Sequence, residues 1–162
     1  MHAFGLLSTH MAHTKEYQQN AMSTLEQYFY QELKSENGFL RARACWVYGQ
    51  FASFPFANDD HLRAALNDLY ENLSHNDLPV RVNAALALIK LLDHEVAVEF
   101  IRPGLSQVIK IYLKLIDDID YDELIDALRK IVDVFESEIG PYALELCQKL
   151  GEAFLRLHET RK

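Results

Sequence analysis

The sequence has few of the residues that cross-link or interrupt a chain. Among 162 residues there are two cysteines, four prolines and six glycines. Cys45 and Cys147 lie far apart and form no Cys-x-x-Cys pair, which excludes a zinc knuckle and a disulfide framework and favours a reducing compartment. The low proline and glycine content also excludes a fibrous or low-complexity chain. A globular fold with an ordinary hydrophobic core is therefore expected.

Positive charge and long apolar runs are also lacking. Sixteen lysines and arginines stand against 24 aspartates and glutamates, which gives a net charge of −8. Binding to a phosphate backbone or to anionic lipid needs the opposite sign. No apolar run approaches the ~18 residues of a membrane-spanning helix. We therefore predict no nucleic-acid and no membrane partner, and a basic protein partner fits better.

Apolar residues recur three or four positions apart along almost the whole chain, which predicts an all-α fold. Typical helix-start residues occur at Asn37, Asn58, Asp77 and Asp120, and Glu123 completes a capping box with Asp120. Pro103 and Pro141 suit first-turn positions, and the residues before them are expected outside the α region. The predicted helices are 1–12, 16–33, 38–53, 59–73, 78–92, 94–101, 103–117, 121–137 and 141–158.

The sequence also repeats itself with a period of about 40 residues, as helix-pair repeats do. A shift of this size places Asn37 on Asp77 and Arg41 on Arg81. Short connections make successive helices antiparallel neighbours. We predict a single segment over 1–162 with about four antiparallel helix pairs in a right-handed superhelical stack, divided into approximate repeats at 1–33, 38–73, 78–117 and 121–158.

The second copy of the repeat, residues 77–91, resembles the HEAT-repeat pattern almost position for position, which implies a HEAT-repeat α-solenoid. Small residues at Ala84 and Ala85 would let the next helix approach closely. The resemblance also implies that the Arg81 guanidinium reaches an aspartate of a neighbouring repeat. The positions predicted to have structural roles are Arg41, Ala44, Cys45, Asp77, Val80, Arg81, Ala84, Ala85, Leu88 and Leu91.

Both ends of the sequence are apolar, whereas a free solenoid needs terminal repeats with a polar outer face. The first helix presents Leu6 and Leu7, and the last runs through Phe154 and Leu157. This pattern indicates a piece of a longer array.

Catalytic and metal-binding patterns are weak. His10 and His13 have no third ligand of matching character nearby, and the adjacent Ser8 points away from His10 on a helix. No phosphate-binding glycine loop occurs. Cys45 and Cys147 both fit small core positions. A non-catalytic scaffold without a cofactor is expected.

Two clusters leave alternatives open. Five carboxylates surround one predicted turn, where they could dock a basic cargo protein or could cap the following helix and complement its dipole; they are Asp117, Asp118, Asp120, Asp122 and Glu123. Four aromatic side chains surround Pro55, where they could line a groove for an apolar peptide or could close the core; they are Trp46, Tyr48, Phe54 and Phe56.

The segment 38–47, Gly-Phe-Leu-Arg-Ala-Arg-Ala-Cys-Trp-Val, is similar to a segment in the middle HEAT repeats of the importin-beta (karyopherin-beta) family, especially the branch of importins seven and eight. Residues 79–88 and 100–103 resemble the next elements of that branch. The resemblance implies carriage of protein cargo through nuclear pores, contact with Phe-Gly nucleoporins, release by the Ran GTPase, and shuttling between cytoplasm and nucleus. The alternative is a HEAT scaffold of another pathway, such as a phosphatase regulatory or trafficking adaptor.

Overall fold

The computed structural model describes residues 1–119, 121–144, 146–149 and 151–152. All regular structure in these residues is helical, which confirms the prediction of an all-α fold. The chain packs into two compact units, Met1–Pro103 and a second unit that begins at Gly104.

The first unit begins with two short helices, α1 (His2–Leu6) and α2 (Ser8–Met11), where a single helix over 1–12 was predicted. The next helix also differs from the continuous helix predicted over 16–33. It is α-helical as α3 (Lys15–Thr24), becomes a π-helix over Leu25–Phe29 and ends as a 3₁₀ helix over Tyr30–Lys34. The apolar spacing located this helix, but spacing does not report the hydrogen-bond pattern inside it.

Four further helices complete the first unit, and the first three of them start directly after predicted capping residues. They are α4 (Gly38–Gln50), α5 (Asp59–Asn72), α6 (Leu78–Leu91) and α7 (Glu95–Ile101). The Asn37 side chain accepts hydrogen bonds at the start of α4, and the Asn58 side chain does so for α5. Asp77 occupies the cap position of α6, but its side chain makes no capping hydrogen bond. Its carboxylate instead lies against Gly38.

The second unit contains α8 (Leu105–Asp118) and α9 (Asp122–Val134), which pack against each other. Tyr121 occupies the N-cap of α9, and Asp120 lies outside the described residues. Residues 143–144, 146–149 and 151–152 are helical. The remainder of the predicted last helix, including Phe154 and Leu157, also lies outside the described residues.

Both prolines expected in a first α-helical turn lie in short 3₁₀ turns, Arg102–Gly104 and Gly140–Tyr142. The prediction that the preceding residue leaves the α region is wrong for Arg102, whose backbone is α-helical. The steric effect of proline on the preceding residue is a bias rather than an exclusion. The tighter 3₁₀ turn accommodates the ring immediately after α7.

The core of the first unit is built on a close contact between α4 and α6. A β-carbon placed on Gly49 of α4 would lie 3.2 Å from the Ala87 Cα of α6, so the two main chains nearly touch there. At the end of α4, the ring of Phe51 lies 4.7 Å from Phe4 and 5.0 Å from Phe54, measured between centroids. The apolar repeat positions named from the sequence are all buried: Ala44, Cys45, Val80, Ala84, Ala85, Leu88 and Leu91.

Candidate protein-binding site

The two repeated arginines, Arg41 and Arg81, are half-buried. One nitrogen of the Arg81 guanidinium donates hydrogen bonds to the carbonyl oxygens of His75 and Asn76, each at 2.9 Å. These bonds fasten α6 to the turn that precedes it, which agrees with a structural role. The aspartate contact implied by the HEAT resemblance stays a prediction.

A groove of about 620 Å³ lies between α4 and the first turn of α6. Phe39 and Trp46 contribute aromatic rings, Pro79 an apolar ring, and Arg43 and Asp77 opposite charges. Phe39 is 89% exposed although it is a large apolar residue. The groove therefore offers aromatic surface to a partner, with charged groups beside it.

The position of Trp46 in this groove is fixed from two sides. The Arg43 guanidinium lies 4.9 Å from the centre of the indole ring, in the range of a cation–π contact. On another side the ring lies so close to Gly5 of α1 that a β-carbon there would collide with it. His2 also approaches the ring, at 5.3 Å between centroids. The indole is thus held in place before any partner binds.

Two of the four aromatic residues predicted around Pro55 close the core, Phe56 is half-buried, and a peptide groove around Pro55 stays a prediction. Tyr48 and Phe54 are buried in the core, and the Tyr48 hydroxyl lies 3.2 Å from Nε2 of His61. Trp46 points instead into the groove between α4 and α6. The sequence prediction included Trp46 but missed Phe39. An aromatic residue at the polar start of a helix is the sequence feature that could have pointed to it.

The acidic run is partly engaged in contacts within the second unit. Both carboxylate oxygens of Asp117 accept hydrogen bonds from Lys149 Nζ, at 2.9 and 3.0 Å. A hydrogen bond to the Glu123 carboxylate raises the pKa of Tyr121. Asp122 and Glu123 lie in the first turn of α9, where negative charge complements the helix dipole.

Asp118 and Asp122 are exposed, as is Glu123. The run therefore combines carboxylates with internal partners and carboxylate surface that faces solvent. A docking role for these residues stays a prediction.

The two cysteines lie in different environments. Burial raises the pKa of the Cys45 thiol to about 12, so it stays protonated at neutral pH. The expectation that Cys147 is also a core residue is wrong, because its side chain is exposed while the adjacent Leu146 is buried. Neighbouring positions on a helix point about 100° apart, so the apolar stripe includes Leu146 without Cys147.

The described part of the chain contains no cluster of three or more side chains suited to hold a metal ion. None of its helices combines the length and the hydropathy required to cross a membrane.

Packed helices with alanine-rich contacts and a repeat of about 40 residues in the sequence define a HEAT-repeat solenoid. The chain is 34% identical over 157 residues to a probable importin-7 homolog of Dictyostelium discoideum, and 35% identical over 158 residues to an importin beta-like SAD2 homolog of Arabidopsis thaliana. It is 29% identical over 164 residues to importin-8 of Danio rerio. Over nearly its whole length the chain is therefore related to importins, which confirms the resemblance to the importin-beta family seen in its sequence.

These alignments include 97%, 98% and 100% of this chain, but only 15% to 16% of each relative. The chain thus corresponds to about one-sixth of the length of the curated relatives that it matches. No protein-family model matches the chain, and no solved structure gives a significant match.

Proposed function

We propose that this chain is a non-catalytic segment of a nuclear import receptor that binds basic cargo proteins and shuttles between cytoplasm and nucleus. Its similarity to importins over almost its whole length is the observation that carries the proposal. Ran and Phe-Gly nucleoporins would act on the longer receptor of which the segment forms a part. Release of cargo from that receptor on addition of Ran-GTP would distinguish it from a HEAT scaffold of another pathway.

The charge of the chain supports a basic cargo. The net charge is −8, and exposed carboxylates occur at the end of α8 and the start of α9, at Asp118 and Asp122. At physiological salt, such charges attract a basic partner over about 8 Å. Attraction of this kind acts mainly on the association rate. Asp117 also lies 2.9 Å from Lys149 Nζ, so its substitution would break a contact within the second unit.

Replacement of Asp118 and Asp122 together by asparagine is expected to slow association of a fluorescent lysine- and arginine-rich peptide by a few-fold at low salt. The dissociation rate should change less, because the substitution removes long-range attraction rather than a packed contact. Stopped-flow fluorescence at low and physiological salt measures both rates.

The matched control replaces Asp59 and Asp60, which are exposed in the first turn of α5, so that the net charge changes equally. Equal association rates for wild type and the α9 variant would show that the acidic run is solvated surface only. Equal slowing by both variants would show that net charge, rather than this surface, attracts the peptide.

The groove between α4 and α6 supports contact with Phe-Gly nucleoporins. Its aromatic lining suits insertion of a phenylalanine ring, since aromatic pairs add to the free energy of apolar burial. The charged groups beside the groove, Arg43 and Asp77, would keep water around the glycine-rich chain on either side of that phenylalanine. Because Trp46 is already held in place, binding would cost less side-chain entropy at this residue.

Phe39→Ala is expected to weaken binding of a fluorescent Phe-Gly repeat peptide about tenfold, because it removes one aromatic wall of the groove. Phe39 is 89% exposed, so the substitution should leave stability unchanged. Fluorescence anisotropy measures the affinity. Tyr17→Ala is the control, since Tyr17 is 54% exposed and lies outside the groove. Unchanged affinity in Phe39→Ala would place nucleoporin binding elsewhere.

A further inference from the structure

The helix that precedes α4 changes its winding twice within twenty residues. At the junction between α3 and the π-helix, the Thr24 hydroxyl donates to the Asn20 carbonyl at 2.8 Å, a bond of the kind that bends helices. A π-helical stretch within an α-helix is rare and often lies at a functional site, whereas a 3₁₀ turn is common where a helix ends. Residues 25–34 therefore differ physically from the regular helices around them.

Asp68 of α5 contacts the 3₁₀ part of this segment. Its side chain is only 3% exposed, and one carboxylate oxygen lies 2.9 Å from Lys34 Nζ. Burial, together with a hydrogen bond to the same carboxylate, raises the pKa of Tyr30. The other oxygen of Asp68 is buried without a hydrogen-bond partner. A buried polar network with one unsatisfied member stabilises the fold less than a fully hydrogen-bonded one, so the contact of Asp68 with this segment contributes less stability than its burial suggests.

Asn72, one turn further along α5, contacts the end of the same segment. It is 4% exposed, and its side-chain amide donates to the Leu33 carbonyl at 2.9 Å and to Cys45 Sγ at 3.5 Å. The last carbonyls of a helix have no partner within it. Asn72 supplies such a partner from a neighbouring helix.

These contacts all fall on the 3₁₀ part of the segment. Asp68 and Asn72, four apart on α5, share one face of that helix. Together they contact Tyr30, Leu33 and Lys34. A 3₁₀ helix has poorer hydrogen-bond geometry than an α-helix, so contacts from a neighbouring helix help to hold it.

We propose that residues 25–34 are a hinge in the first unit, whose 3₁₀ end is held by Asp68 and Asn72 of α5. Loss of these contacts releases the segment to exchange with a more regular helix. The direction of α3 relative to α5 then changes, while the contact between α4 and α6 remains.

The test is amide hydrogen exchange, measured by mass spectrometry on the full chain. Asn72→Leu keeps the approximate size of the side chain and removes the donor to Leu33. Exchange of residues 25–34 is expected to be about tenfold faster in this variant, as for the loss of one hydrogen bond to a buried group. Residues 78–91 should exchange as in wild type. Asn67→Leu is the control, because Asn67 lies on the exposed face of α5.

Unchanged exchange of residues 25–34 would overturn the proposal. Equal acceleration in residues 78–91 would also overturn it, because the variant would then only destabilise the whole unit.

A distance measurement separates a hinge from local fraying. Spin labels are placed on cysteines introduced at Gln19 and Ser74, which are both exposed, in a Cys147→Ser background. Pulsed electron resonance is expected to give a shifted or broader distance distribution in Asn72→Leu than in wild type and Asn67→Leu. The same distribution in all three proteins would contradict a hinge.

Discussion

Replacing Phe51 by alanine is expected to lower the free energy of unfolding by about 3–5 kcal/mol, the usual cost of deleting a buried aromatic side chain. Phe51 is completely buried at the end of α4, where its ring contacts Phe4 of α1 and Phe54 of the following loop. Alanine would remove both contacts and leave a cavity between three segments. Urea unfolding followed by circular dichroism measures the change.

Phe39→Ala is the matched control, because it makes the same chemical change on the same helix at a side chain that is 89% exposed. Its unfolding midpoint should remain close to that of wild type. Similar midpoints for wild type and Phe51→Ala would show that the aromatic contacts at the end of α4 do not stabilise the unit.

Gly49→Leu is expected to destabilise the first unit by about 1–3 kcal/mol through overpacking. Even a β-carbon at this position would lie 3.2 Å from the Ala87 Cα, and a main-chain atom cannot move aside as a flexible side chain can. The larger leucine would force α4 and α6 apart. Thermal and urea unfolding of the variant measure the cost.

Gly49→Ala serves as an internal control for this effect. Alanine gains about 1 kcal/mol of helix propensity over glycine, which offsets part of the close contact, so its stability should lie well above that of the leucine variant. Equal stability of all three proteins would mean that α4 and α6 do not pack closely in solution.

The sequence predicts the main helices because the signals that define them are local. Apolar spacing and the Asn37 and Asn58 caps need only a few neighbouring residues to be recognised. The π and 3₁₀ winding of residues 25–34 has no such signal. Its 3₁₀ part contacts Asp68 and Asn72, about forty residues away along the chain, and such contacts cannot be read from local pattern.

The candidate site was predicted less completely, for a related reason. The acidic run can be recognised because its residues are neighbours in the sequence. The pairing of Asp117 with Lys149 depends on how separate helices pack, and sequence alone does not give that packing. The groove likewise forms only when the start of α6 lies beside α4. Phe39 and Trp46 are separate aromatic residues in the sequence, and only the fold brings their rings into one groove.

Helix α4 separates the residues that hold the fold from those that can contact a partner. Gly49 and Ala44 face the packed interior, where a larger side chain has little room. Phe39 and Arg43 lie at the groove and outside the core. Substitutions at the groove positions would therefore change the surface that α4 exposes without disturbing its packed side. The same helix can in this way keep its place in the fold while its outer surface varies.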